Sequence, residues 1–259
     1  MRITVLLSLS LALMAGGFGL NSVENDRGEK ALASSLQLII VTTKDWNAVD
    51  GELRRYERSS IKDQWQAVGE KTLVVVGRNG MAWGKGLHGD AIGDGPIKKE
   101  GDGCSPAGIF NLSSAFGYAG KAKAGGVKLP YVQATPTLEC VDDPQSAHYN
   151  RVIDRASVKA PDWKSSEQML RQDELYRWGV VVDHNAKGEA GCGSCIFLHI
   201  WDGPGKGTAG CTAMNAAKME EVLRWLDPRK KPLLAQLPWA EYERLRRVRG
   251  FRDGIELRH

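Results

Sequence analysis

The chain has 259 residues, of which 42% are hydrophobic and 25% are charged, and its formal net charge is +4. This composition is typical of a soluble globular protein, and the length suits one large domain or two small ones. The charge is too small to indicate a nucleic-acid partner, and no cluster of basic and aromatic residues interrupts the body of the chain.

The N-terminus has the pattern of an export signal. Residues 1–2 supply one positive charge, residues 3–20 carry none, and small residues follow between 15 and 19. We expect a signal peptide at 1–19 followed by a polar linker at 20–35, with an uncleaved membrane anchor as the alternative. Both alternatives place the rest of the chain in the periplasm or cell envelope.

After the linker, short apolar and β-branched segments alternate with turn residues. This pattern predicts a mainly β fold with short helices, arranged as a meander or a barrel-like sheet. Methionine, valine and leucine at helical spacing predict a helix over 213–226, ended by an Asp-Pro pair. A last helix is expected over 239–249, and it ends in a charged C-terminal tail at 246–259. The expected strands are 36–43, 51–58, 65–69, 72–77, 109–112, 179–185, 195–201 and 232–238.

One histidine and one cysteine stand at the spacing of a catalytic pair. His199 lies in the apolar strand 195–201, and a Gly-rich and Pro-containing segment then leads to Gly210 and Cys211. A strand would hold the imidazole rigidly, and the loop would fold the chain back to bring the thiol beside it. A thiol needs a neighbouring base to become a good nucleophile, so this pair predicts a cysteine acyl-transfer enzyme.

The cysteine count supports Cys211 as a reactive thiol. In an oxidising compartment, Cys104, Cys140, Cys192 and Cys195 can form two disulfides and leave Cys211 over. The sequence does not fix this pairing, and Cys192 and Cys195 are expected as a close-range bridge or as two free thiols.

A zinc site is the main alternative use of these side chains. On one strand Cys195 and His199 would lie about 13 Å apart, too far for two ligands of one metal ion. The same distance disfavours Cys195 as the nucleophile. No metal or cofactor is therefore expected.

The flanking motifs give the pair a family context. Thr208-Ala-Gly-Cys211 follows the histidine strand, and the segments at 99–108, 115–118, 194–201 and 210–214 stand in matching order. From about residue 36 to 245 the chain resembles the YkuD-like L,D-transpeptidase catalytic domain, whose members remodel bacterial peptidoglycan. Two positions depart from the common pattern: Ala209 stands where many members have a histidine, and Ala213-Met214 where many have an arginine or asparagine.

The resemblance implies a β-sandwich or barrel with a helix after the catalytic cysteine. It also implies that Cys211 attacks a peptidoglycan stem peptide, that His199 handles the proton, and that 3-3 cross-links form through a thioester. The acceptor is an amine of another stem or of an envelope protein. An L,D-carboxypeptidase, in which water replaces the amine, and a non-catalytic peptidoglycan-binding protein are the alternatives.

Supporting roles follow from the same resemblance. The backbone amides of Gly210 and Cys211 are the expected oxyanion donors, and a backbone carbonyl of Thr208 or Gly207 is expected to fix the imidazole tautomer. His184 is expected to be a loop residue rather than the base. The candidates for the substrate groove are Tyr118, Tyr149, Asn150, Arg151, Asn185 and Trp201.

Overall fold

The computed structural model of the protein describes residues 20–89 and 93–248. The expected signal peptide and most of the expected charged tail at 246–259 lie outside these residues. In the described parts of the chain, no helix combines the length and hydropathy needed to span a bilayer.

Three α-helices and thirteen strands make up the described fold. The helices are α1 (Leu20–Ser34), α2 (Ala216–Trp225) and α3 (Trp239–Val248). The first seven strands are β1 (Gln37–Thr43), β2 (Asp50–Glu57), β3 (Gln66–Val75), β4 (Met81–Trp83), β5 (Ser105–Gly117), β6 (Tyr131–Gln133) and β7 (Leu138–Val141). The others are β8 (Val152–Asp154), β9 (Ser166–Gln168), β10 (Trp178–Val182), β11 (Phe197–Ile200), β12 (Thr212–Met214) and β13 (Leu233–Pro238).

The main sheet closes on itself. Its strands run in the order β10-β11-β12-β3-β2-β1-β13-β5, and β10 also pairs with β5, so that these eight strands form a barrel. β4 and β6 add to β5 outside the ring. The mainly β, barrel-like class expected from the sequence is therefore confirmed.

Helices cover part of the barrel and explain the continuous apolar run of β1. Residues 38–41 of β1 are all buried, which an alternating strand with one wet face would not show. α3 packs on β1 and β13, and α2 packs across β10, β11 and β12. Residues on both faces of β1 consequently meet apolar partners.

The helix after the cysteine begins later than the sequence indicates. Residues 212–214 extend as β12, and α2 starts at Ala216 because the Asn215 side chain accepts the amide of Lys218 at 2.9 Å and caps the first turn. The predicted apolar face is confirmed, since its four members are fully buried: Met219, Val222, Leu223 and Leu226.

Two other segments differ from the sequence expectation. The expected strands 65–69 and 72–77 are one strand, β3, because a bulge with Gly69 at φ +67° carries the chain between them. The expected linker at 20–35 is the helix α1. The buried Arg58 guanidinium binds the carbonyls of Leu32, Ala33 and Ser35 at 2.7–2.9 Å, and so satisfies the end of that helix.

A second, three-stranded sheet, β8-β7-β9, stands beside the barrel. Between the two lies a separate apolar cluster that includes Phe116, Tyr176, Phe197 and Cys211. A disulfide between Cys140 in β7 and Cys195, just before β11, joins the sheets. Cys211 therefore sits where the small sheet meets the barrel.

Candidate active site

The thiol and the imidazole are brought together by two adjacent parallel strands. In the β11–β12 register His199 pairs with Ala213, which places Phe197 opposite Cys211. Side chains alternate along a strand, so Cys211 and His199 project to the same side of the sheet. Both line a cleft of ≈ 590 Å³ between the barrel and the small sheet.

The imidazole is oriented by its own strand. His199 Nδ1 lies 2.7 Å from the carbonyl oxygen of Ile200. A carbonyl only accepts, so Nδ1 carries the hydrogen and Nε2 keeps the lone pair that can take a proton. The tautomer is therefore held by Ile200, and the expectation of Thr208 or Gly207 is wrong: the Thr208 carbonyl accepts the amide of Arg78 at 2.8 Å.

Burial keeps the imidazole neutral. His199 is only 6% exposed, and this loss of solvation lowers its pKa to about 4 despite the hydrogen bond to Ile200. A neutral imidazole at pH 7 is available as a proton acceptor.

The thiol is also neutral. Its sulfur accepts the amide of Phe197 at 3.3 Å and lies 3.5 Å from the carbonyl oxygen of Cys195, to which the S–H can donate. Burial raises the pKa of Cys211 to about 12, and the Glu167 carboxylate adds to the rise, whereas the Phe197 amide and the Tyr176 hydroxyl oppose it. The resting site therefore holds a thiol and a neutral base instead of an ion pair.

The turn before the nucleophile is braced by hydroxyl groups. Thr208 Oγ1 accepts the amide of Gly210 at 3.0 Å and donates to the carbonyl of Cys211 at 2.6 Å. Ser105 Oγ donates to the same carbonyl at 2.8 Å. A Cβ on Gly210 would come within 3.1 Å of the Cys104 carbonyl oxygen, so a larger residue would displace this turn.

This bracing changes the expected oxyanion donors. The Gly210 amide already donates to the Thr208 hydroxyl. Of the two amides expected to bind the oxyanion, only that of Cys211 therefore remains a candidate. Thr208 acts through its hydroxyl on the turn, and its own amide donates to the Val76 carbonyl at 2.9 Å.

A family model matches most of the chain. The model of the YkuD L,D-transpeptidase catalytic domain matches residues 52–234, which is more than half of the chain. The chain belongs to this family. Comparisons with curated proteins and with solved structures returned no match. Membership supports an L,D-transpeptidase-family function, with peptidoglycan as the substrate, in a cysteine acyltransferase or peptidase type of enzyme.

The L,D-transpeptidase domain carries a second pair of site residues that the sequence did not single out. The Tyr176 ring packs edge-on against the His199 ring, with centroids 5.1 Å apart. The Tyr176 hydroxyl donates to Glu167 Oε1 at 2.5 Å, and both residues line the cleft. No spacing motif could reveal them, because Glu167 is in β9 of the small sheet and reaches the barrel residues only in the folded chain.

The cysteines of the domain form one disulfide in place of the expected two. Cys140 and Cys195 are bonded, with Cα atoms 5.9 Å apart, whereas Cys104 and Cys192 are free thiols. The bonded sulfur of Cys195 can be neither a nucleophile nor a zinc ligand. Among residues 20–89 and 93–248, no group of three or more His, Cys, Asp or Glu side chains could hold a metal ion.

Of the six expected substrate residues, Trp201 alone lines the cleft. Tyr118 donates its hydroxyl to the Asp173 carbonyl at 2.7 Å, and Tyr149 donates to Glu100, which itself lines the cleft. Tyr149 itself is buried and does not line the cleft.

The remaining three expected residues stabilise loops or line other cavities. The Asn150 amide donates to the carbonyls of His184 and Asn185 at 2.8 Å each, and its oxygen accepts the Cys195 amide. The buried Asn185 side chain donates to carbonyls of its own loop. Arg151 lines a separate cavity on the other side of Cys195. These three residues therefore do not line the cleft that holds Cys211.

His184 is a structural residue, as expected. Its Nδ1 accepts the Lys85 amide at 3.2 Å, and its Nε2 lies 2.9 Å from the Cys192 carbonyl oxygen. Burial lowers its pKa to about 4. It does not line the cleft that holds Cys211.

Proposed function

We propose that this protein is an exported L,D-transpeptidase that forms 3-3 cross-links between peptidoglycan stem peptides through a thioester on Cys211. The observation that carries the proposal is the placement of Cys211 and His199 on one face of adjacent strands in an open cleft, inside a YkuD domain. The cleft volume is sufficient for a peptide segment.

The first step is acylation. Nε2 of His199 takes the thiol proton as Cys211 Sγ attacks the carbonyl of the third stem residue, and the Cys211 amide binds the developing oxyanion. Because both groups are neutral at rest, the transfer of the thiol proton to His199 belongs to the acylation step. His199 then gives the proton to the departing D-Ala amine, and the thioester remains.

Binding of the donor requires a group for its carboxylates. Most cations of the cleft are already paired, as Lys98 is with Asp102 and Lys206 with Asp202. Arg78 is exposed, lines the cleft beside the Thr208 loop and forms no ion pair within the described parts of the chain. We propose that its guanidinium binds a donor carboxylate, and so supplies a cation that the motif position at Ala213-Met214 lacks.

The second step transfers the acyl group to an amine of another stem, or of an envelope protein. Export to the periplasm or cell envelope fits both acceptors. The expected signal at residues 1–19 supports export, and so does the Cys140–Cys195 disulfide, a bond typical of oxidising compartments.

One experiment separates the possible outcomes. Purified protein is incubated with disaccharide tetrapeptide, and the products are identified by mass spectrometry. A dimer linked between third residues supports the transpeptidase, whereas tripeptide as the sole product would make the protein an L,D-carboxypeptidase. Absence of turnover by correctly folded protein would favour a peptidoglycan-binding protein.

A further inference from the structure

Glu167 faces Cys211 across the cleft from the small sheet. Its Oε1 accepts the hydroxyl of Tyr176 at 2.5 Å, and the Tyr176 ring lies against His199. The carboxylate is therefore fixed by a residue that touches the proposed base. The Glu167 side chain remains 29% exposed and lines the cleft, so a ligand can reach it.

The charge of Glu167 is only weakly compensated. Arg171 Nη1 lies 3.8 Å from Glu167 Oε1, but the Arg171 guanidinium binds Asp173 more closely, at 2.6 and 2.9 Å. In the described part of the chain, no donor hydrogen-bonds to Glu167 Oε2. One carboxylate oxygen is thus free for a ligand in the cleft.

The other cleft carboxylates contact groups away from the catalytic pair. Glu100 accepts the hydroxyls of Tyr149 and Ser194, and Asp202 pairs with Lys206. Asp142, on the same wall as Glu167, accepts the hydroxyl of Ser165. Among these carboxylates, Glu167 is the one that hydrogen-bonds to Tyr176, whose ring packs on His199.

We propose that Glu167 binds the ammonium group of the acyl acceptor and removes its first proton, so that the thioester is resolved by an amine in preference to water. This inference rests on the proposed transpeptidase function and makes Glu167 a specificity-determining residue within it. A carboxylate in a partly desolvated cleft both attracts an ammonium group and can accept its proton.

The proposed step balances as follows. The acceptor ammonium loses one proton to Glu167, and its nitrogen attacks the thioester carbonyl. The C–N bond forms, the C–S bond breaks, and the second nitrogen proton passes through His199 Nε2 to the departing Cys211 sulfur. The proton on Glu167 is then released to solvent.

The test compares Glu167→Gln with the matched control Asp142→Asn, which removes a second carboxylate from the same wall. Each protein is given disaccharide tetrapeptide, and the ratio of dimer to tripeptide is measured together with the rate of D-Ala release. In Glu167→Gln we expect the ratio to fall about tenfold, as for loss of one charged hydrogen bond. The ratio compares two fates of the same acyl-enzyme, so any change in acylation appears in the rate of D-Ala release and not in the ratio. The ratio in Asp142→Asn should equal that of the wild type.

A neutral nucleophile provides a second readout. Hydroxylamine is uncharged at neutral pH and should resolve the acyl-enzyme equally fast in the wild type and in Glu167→Gln. An unchanged dimer ratio in Glu167→Gln, an equal fall in Asp142→Asn, or slower resolution by hydroxylamine would each overturn the role of Glu167.

Folding and function failures are distinguishable in the same design. If Glu167→Gln does not fold, Glu167→Asp is used in its place, because it keeps the charge but moves it back by one methylene. The ratio of dimer to tripeptide must then fall, and an unchanged ratio overturns the proposal. A wild-type protein that never forms an acyl-enzyme contradicts the proposed function itself. If an acyl-enzyme forms but the ratio of dimer to tripeptide is the same in the wild type and in the Glu167 variants, this inference alone is contradicted.

Discussion

At the scale of single residues, Cys211 and His199 do not form an ion pair in the resting site. Burial raises the pKa of Cys211 to about 12 and lowers that of His199 to about 4, so between these values the pair is neutral. The Phe197 amide and the Ile200 carbonyl orient the two groups without ionising them. Reactivity must therefore appear when a bound carbonyl accepts the developing charge.

The first prediction concerns thiol chemistry in the absence of substrate. The rate of Cys211 alkylation by iodoacetamide should rise with pH from 6 to beyond 10, because the thiolate is a small fraction that grows about tenfold per pH unit. Mass spectrometry of the Cys211 peptide measures it, with Cys104 as the internal reference. A rate plateau at neutral pH would contradict the neutral pair.

The second prediction concerns the Thr208 hydroxyl. Thr208→Val keeps the shape but removes the hydrogen bonds to the Gly210 amide and the Cys211 carbonyl. We expect a loss of kcat on the order of 10- to 100-fold, about 1.5 to 3 kcal/mol, with an unchanged circular dichroism spectrum. Thr208→Ser retains the hydroxyl and should keep most activity. Equal activity of Val and Ser variants would show that the brace is irrelevant.

Sequence reasoning could reach the nucleophile and the base but little of their surroundings. A histidine strand followed by Gly210-Cys211 is local in the chain, and so is visible in it. Glu167 and Tyr176 come from the small sheet and a turn, and depend on how that sheet docks. Asn150 and Asn185 resemble site residues in sequence, but their side-chain amides donate to backbone carbonyls and so stabilise loops.

At the scale of elements, the disulfide ties the small sheet to the strand that carries the base. Cys195 has a left-handed backbone, with φ at +55°, and its carbonyl faces the Cys211 sulfur. Two residues further along, the amide of Phe197 donates to the same sulfur. The bridge therefore fixes backbone groups that contact the nucleophile.

A third prediction follows for this bridge. Cys140→Ser should lower the free energy of unfolding by about 2 to 4 kcal/mol, since the bond closes a long loop of chain. It should also reduce the rate of acyl-enzyme formation, because the Cys195 backbone is less constrained. Denaturant unfolding and a burst assay measure the two effects. Cys104→Ser, at a free thiol, is the control and should change neither.

Elements that are formed by local interactions could be predicted from the sequence, whereas elements that depend on contacts with distant parts of the chain could not. β1, β13 and α3 lie within a residue or two of the expected segments, since apolar runs and Pro or Asp-Pro boundaries are local signals. The sequence does not predict α1, because its polar segment is stabilised by Arg58, which directly follows β2. The bulge at Gly69 likewise depends on pairing with β2.

At the scale of the whole molecule, an eight-stranded barrel and a small sheet enclose the cleft from two sides. The barrel supplies Cys211 and His199, and the small sheet supplies Glu167. Barrel closure through β10 and β5 has no signal in the sequence, because it joins strands more than sixty residues apart. Buried histidines accompany this packing, and they make the fold sensitive to acid.

The fourth prediction is acid lability. His184 and His199 have pKa values of about 4 when folded, below the ordinary value of 6.5. Their contribution to stability is complete above pH 6.5 and is lost as pH falls toward 4, on the order of 3 kcal/mol each.

Denaturant unfolding between pH 7 and 4.5 measures this loss. His184→Gln should be less stable than the wild type at pH 7 but should lose less free energy of unfolding on acidification. Parallel pH dependence in the two proteins would exclude His184 as a source of the effect.

The central claim is that Cys211 carries the acyl group, and intact-protein mass spectrometry tests it directly. The protein is mixed with disaccharide tetrapeptide and quenched in acid within one turnover. We expect an adduct with the mass of the disaccharide tripeptide acyl group, located on Cys211, sensitive to hydroxylamine and absent from a folded Cys211→Ala variant. Stem-peptide turnover that persists in Cys211→Ala, or an adduct on another residue, would contradict the account.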